Sequence, residues 1–140
     1  MDPDVDDDGM NDSLIEGVGV VAAVVVAAMS IFQILLAAGL PLGHAAFGGT
    51  NRVLPKKLRA ASAISVLVFF VALYIVLARS GILGGASKSS SLARVGIWVL
   101  VAIFGVSALA NAASRSRWER RVMAPIGLVV VVCCVTLALA

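Results

Sequence analysis

Charge is what this sequence has least of. Only 14% of its 140 residues are Asp, Glu, Lys or Arg, against about 25% in ordinary soluble domains. A water-facing surface cannot be built from that supply. The absence is also localised: Gly17–Asn51, Ala60–Ala78, Val95–Ser114 and Val122–Ala140 carry no formal charge at all. Acid is scarcer still, because seven of the eight acidic residues fall within the first sixteen positions and Glu119 stands alone after them. No Asp, Glu, Lys, Arg or His lies near the middle of a charge-free window, so the ionisable groups that mark proton relays and ion paths are missing. The two cysteines, Cys133 and Cys134, are adjacent. Neighbouring Cα atoms sit about 3.8 Å apart, short of the usual disulfide span, and no CxxC is present to support thiol–disulfide chemistry. Zinc motifs, a P-loop, a nucleophile elbow and a haem-ligand pair are likewise absent. These gaps leave no basis for catalysis, and no cofactor or metal is expected.

What fills the windows is hydrocarbon. Of the whole chain, 61% belongs to the hydrophobic set. A bilayer core about 30 Å thick is crossed by roughly 20 apolar residues of helix. Lipid offers nothing to hydrogen-bond the backbone, so spanning segments close their own ladders as helices. The sequence predicts an all-α integral membrane four-helix bundle, up-down-up-down, with helices over about 14–40, 55–79, 92–113 and 117–140. Residues 1–13 are expected to be an acidic mobile tail, and 14–140 a single transmembrane domain. The start lacks the positive n-region of a secretory signal, so the first span is expected to be retained. Within the tail, Asp4-x-Asp6-x-Asp8-Gly9 copies half an EF-hand loop, but position twelve falls on Ile15 rather than the required Glu. A solvated acidic segment is the expectation there.

Local signals set the boundaries. Pro41 and Gly43 are expected to stop helix one. Pro55 suits the first turn of helix two, and Gly81 its C-terminal cap. Gly84–Ser91 has the composition of a soft linker. Ser116-Arg117-Trp118-Glu119 fits a capping box for helix four, with Pro125 as an early kink. The Pro41–Leu54 stretch is partly apolar and is open to two readings, lying in the interface or dipping back toward the bilayer.

The bases take sides. Arg52, Lys56, Lys57 and Arg59 flank the first connection, and Arg115, Arg117, Arg120 and Arg121 the third. The opposite side has only Arg79, Lys88 and Arg94. The positive-inside rule then puts both termini outside the cytoplasm, in the plasma membrane. A pI near 9.3 is explained by these headgroup-level bases, and nucleic acid is not an expected partner. The eight inner bases are candidate contacts for anionic lipid or an acidic partner.

Polar residues inside the spans fall on shared faces. Ser30 and Gln33 are three apart on helix one, Ser62 lies on helix two, and Ser107, Asn111 and Ser114 follow one side of helix three. Two roles fit. They are interhelical glue, worth about 0.6 kcal/mol per pair, or they line a polar vestibule in the cytoplasmic half with His44 and Glu119 at its rim. The leading expectation is a non-enzymatic membrane component: a partner or assembly subunit, homo-oligomer or lipid-interacting protein. The alternative is a small oligomeric transporter or channel.

Two stretches carry a resemblance. Gly39-Leu40-Pro41-Leu42-Gly43-His44-Ala45-Ala46-Phe47-Gly48-Gly49 leads into Val53-Leu54-Pro55-Lys56-Lys57-Leu58-Arg59. Further on comes Asn111-Ala112-Ala113-Ser114-Arg115-Ser116-Arg117-Trp118-Glu119-Arg120. Both resemble a pattern in an uncharacterised family of small four-span bacterial integral membrane proteins. Those proteins often have tryptophan in the turn where Leu42 and Phe47 stand here. The resemblance implies four spans and no particular activity.

Overall fold

The computed structural model describes residues 3–140, with side chains from Gly9 onward. Four long helices make the fold: α1 (Pro3–Ala38), α2 (Lys56–Arg79), α3 (Ser91–Ala112) and α4 (Glu119–Leu139). Each is long and apolar enough to cross a membrane. Only 22–33% of each apolar window is buried inside the protein, so most of the hydrocarbon faces outward. That surface suits lipid, not water. The helices alternate in direction. α1 pairs with α2 and α3 with α4, and the two hairpins join through α1 against α4 and α2 against α3.

The ends differ from expectation by a few residues, each for a local reason. α1 starts at Pro3, well before Leu14, and so takes in residues 3–13 of the segment expected as a tail. Acidic side chains are favourable at a helix N-terminus, and Ser13 Oγ donates back to the Gly9 carbonyl at 3.0 Å. The half EF-hand at Asp4–Asp8 lies outside the described side chains. At its other end α1 is stopped by Gly39 rather than by Pro41 and Gly43. Gly39 has φ +88°, and the amides of Gly39 and Leu40 return to the carbonyls of Leu36 and Leu35 at 3.0 and 3.1 Å. That is the Schellman arrangement, open to glycine at no steric cost. Gly81 closes α2 with the same left-handed backbone, φ +88°. The linker expected to be soft contains a helical turn, Gly85–Lys88, and Ser90 caps α3 by accepting from the Ala93 amide at 3.2 Å. α4 opens on a π-helical turn over Glu119–Met123. The wide turn comes immediately before Pro125, whose missing N–H disturbs a regular ladder.

Packing is uneven along the bundle. The main core takes Ala22 and Val26 from α1, Phe69, Ala72, Ile75 and Val76 from α2, Ile97, Leu100 and Phe104 from α3, and Val130, Cys133, Cys134 and Leu137 from α4. Nearly all of these lie toward the end that carries the termini. There the helices come close enough for small residues to matter: a Cβ on Gly19 would collide with the Ser80 side chain, and one on Gly96 would sit 2.7 Å from Ile75 Cδ1. The same end is tied by Arg79, which is 8% exposed. Its Nη2 donates to the Leu137 carbonyl at 2.8 Å and its Nη1 to that of Lys88 at 3.2 Å. A cation at the C-terminus of α4 meets the negative end of the helix dipole. Asp12 and Lys88 add an exposed ion pair at 3.5 Å, worth about 0–1 kcal/mol. Gly19→Val should force α1 from α2 and cost about 1–3 kcal/mol by overpacking. Thermal unfolding in detergent checks it, with Gly17→Val, at a site with nothing within 4 Å, expected to be near neutral.

Candidate functional site

At the opposite end, which carries eight bases, the hairpins part and leave a cleft of about 970 Å³. That volume is at the upper edge of ordinary ligand sites, roughly 300–1,000 Å³. Val24 to Gln33 of α1, Ile64 to Phe69 of α2, Ile103 to Asn111 of α3, Ser114 just beyond it and the opening turns of α4 contribute to its wall. Ala45 to Thr50 of the first connection contribute as well. Most of the lining is apolar, and the polar groups gather on α1, α3 and the start of α4.

The first connection is neither a loop in water nor a simple surface segment. It makes two short 3₁₀ turns, Gly43–Ala45 and Phe47–Gly49. Ala45, Ala46 and Leu54 are buried, and a second small core forms from Ala46 and Leu54 with Leu36, flanked by Phe32, Leu42 and Leu58. Backbone folded into apolar surroundings must find hydrogen-bond partners. The connection supplies several itself, with the amides of Gly43, Ala45, Ala46 and Gly49 on the carbonyls of Arg52, Leu42, Gly43 and Ala46, and the start of α4 supplies two more. Glu119 Oε2 accepts from the Gly48 amide at 3.1 Å and from Ser114 Oγ. Ser116 Oγ donates to the His44 carbonyl at 3.0 Å. Phe47, Gly48 and Gly49 have φ of +50°, +80° and +71°. Of these amides only that of Gly48 reaches the Glu119 carboxylate; that of Gly49 bonds the Ala46 carbonyl at 3.0 Å. For Phe47 the left-handed backbone costs on the order of 1–3 kcal/mol. Gly49 is confined too, since a Cβ there would lie 2.8 Å from the His44 carbonyl oxygen.

The capping box is therefore only half made. Ser116 Oγ accepts from the Glu119 amide at 3.4 Å, as expected. The Glu119 carboxylate, however, does not return to the Ser116 amide, which bonds Ser114 Oγ at 3.1 Å instead. It reaches across 71 residues of sequence to the first connection. Glu119 is 7% exposed, so it sits inside the protein rather than at an open rim. His44 has an exposed side chain and contributes its backbone carbonyl.

The sequence-derived polar residues divide. Gln33, Ser107, Asn111 and Ser114 line the one cleft, joined by Ser65, Thr50 and Glu119. Ser30 and Ser62 are buried outside it. Ser62 Oγ and Gln33 Oε1 are enclosed without a hydrogen-bond partner. Of the eight bases at this end, Arg59 is drawn into the fold, donating through Nε to the Ala37 carbonyl at the end of α1 (2.9 Å). Arg52, Lys56, Lys57, Arg115, Arg117, Arg120 and Arg121 are exposed, and Arg120 also reaches the Ser114 carbonyl at 3.2 Å. Among the described residues no group of His, Cys, Asp and Glu is placed to hold a metal ion.

No protein-family model, curated protein or solved structure matches this chain. Its chemistry has to be judged from its own geometry. Two features lay beyond sequence reasoning. Arg79 counts as one more outer base until its burial is seen, and the inward turn of Glu119 depends on a partner 71 residues away. The one legible trace of the second is that Glu119 is the only acid among the bases of this end.

Removing the carboxylate should release the first connection. Glu119→Ala is expected to raise amide exchange across residues 43–50 and to cost about 1–3 kcal/mol of stability, as for a lost bond to a charged group. Hydrogen exchange with mass readout in detergent micelles checks this, and Ser116→Ala should give a smaller effect in the same segment.

Proposed function

We propose that this chain is a non-enzymatic integral membrane component that engages anionic lipid headgroups through its basic end. The observation that carries the reading is the charge balance there. Seven exposed Lys and Arg residues gather at one end, while the sole acid of that end, Glu119, is buried and committed to the fold. The cationic surface thus has no internal counter-charge. Near an anionic membrane surface each such base is worth about 1 kcal/mol, so a cluster of this size grips strongly even after screening. The same asymmetry of bases supports a cytoplasmic position for this end in the plasma membrane, with both termini on the far side. Support for a non-enzymatic role is the lack of any reactive constellation in the sequence.

The decisive experiment extracts the protein in mild detergent and quantifies what travels with it. Replacing Arg115, Arg117, Arg120 and Arg121 with Gln should lower co-purified anionic lipid several-fold. Unchanged lipid retention would sink the proposal. Loss of an acidic protein held at fixed stoichiometry, with lipid unaffected, would transfer the role of these arginines to partner binding.

One observation favours a second reading, a small transporter or channel. The cleft gathers Gln33, Ser107, Asn111 and Ser114 from two helices on diagonal corners of the bundle. This reading expects solute flux in liposomes that Gln33→Leu or Asn111→Leu impairs without a change in thermal stability. Normal flux in both variants, or a loss of stability alone, leaves those residues as interhelical glue.

A further inference from the structure

The cleft holds a carboxylate that forms no ion pair among the described residues, although Arg115 lines the same cleft. Glu119 lines it and is 7% exposed. One carboxylate oxygen, Oε2, is taken by the Gly48 amide and Ser114 Oγ. Among the described residues no protein donor reaches Oε1, and the ion pair that does form, Asp12 with Lys88, is at the other end of the bundle. Oε1 is not fully enclosed and keeps some exposure, but a carboxylate drawn mostly out of water with no counter-cation is still unfavourable. Neutral donors offset part of that, and a cation within the cleft would offset the rest.

The walls point the same way. Five of the chain's eight aromatic residues line this one cleft: Phe32, Phe47, Phe69, Phe104 and Trp118. Phe69 and Phe104 are stacked, with centroids 5.8 Å apart and planes at 17°. Aromatic faces attract cations, most strongly when water is excluded, and they also receive alkyl chains. An apolar chamber with a few converging polar groups is the usual form of a small-molecule site. We propose that the cleft is a binding site for an amphiphile with an ammonium head, the head at Glu119 and the tail along the aromatic wall. Arg115 also lines the cleft and is exposed. Where the ammonium belongs to a phospholipid, Arg115 meets its phosphate. The site uses Glu119 rather than the exposed bases, so it stands whether or not the basic surface holds anionic lipid.

The full chain in an uncharged maltoside detergent is titrated with dodecylamine, dodecanol and laurate. In a Trp98→Phe background, Trp118 reports occupancy by fluorescence. Dodecylamine should saturate the signal at a concentration about tenfold or more below that needed for the alcohol or the acid, the margin expected of a charge-assisted bond. Equal response to all three overturns the site. Glu119→Gln keeps a carbonyl oxygen for the Gly48 amide and removes the charge. It should bring amine affinity down to that of the alcohol and leave the alcohol unchanged. A folded variant that binds the amine as before also overturns the proposal. Should that variant not fold, the three-ligand comparison on the otherwise unaltered chain decides alone. Native mass spectrometry separates the sources of the ammonium. An aminophospholipid displaced by dodecylamine assigns the site to a membrane lipid, and saturable amine binding with no retained lipid assigns it to a free lipophilic amine.

Discussion

The basic end depends on one constraint: non-helical backbone folded into apolar surroundings has to be hydrogen-bonded by something. Water does this for an ordinary loop. Here Ala45, Ala46 and Leu54 pull the first connection inward, and the amides and carbonyls that come with them need protein partners. The connection's own carbonyls satisfy several, Ser116 and Glu119 take the His44 carbonyl and the Gly48 amide, and Ser114 steadies the carboxylate. The identity of the residues opening α4, the left-handed backbone of Phe47–Gly49 and the tight fit at Gly49 all follow from that need. So does the shape of the cleft, because the same connection forms part of its wall.

The two ends of the bundle solve opposite problems. Toward the termini the helices touch through small residues, with Gly19 on Ser80 and Gly96 under Ile75, and Arg79 meets the carbonyls left over at the end of α4. Toward the bases the bundle is held open by large side chains and by inserted backbone. A closed end and a hollow end in one short bundle give it a polarity that the near-uniform apolar composition of its spans does not announce.

Much of the architecture was legible in the sequence because it follows from local rules. Charge-free windows of membrane length mark the four helices, and Gly81 and the Ser116 cap behave as their positions imply. α1 is stopped by Gly39 rather than by Pro41 and Gly43, because a glycine two residues before a proline is itself a terminator. The shared face of Ser107, Asn111 and Ser114 follows from helical spacing, and all three do line the cleft. What spacing could not supply was tertiary. Nothing local says that Arg59 turns to the end of α1, that Arg79 is buried, or that Glu119 leaves its own helix turn for Gly48. Each depends on a partner at least nine residues away, and the last on one 71 residues away.

That long reach bears on the order in which the molecule can be assembled. The chain emerges from the ribosome N-terminus first, so α1, the first connection and α2 exist as a hairpin before α4 has been made. Until then the amide of Gly48 and the carbonyl of His44 lack the side-chain partners they have in the complete fold. In the finished fold the Glu119 carboxylate and the Ser116 hydroxyl tie the first half of the protein to the second.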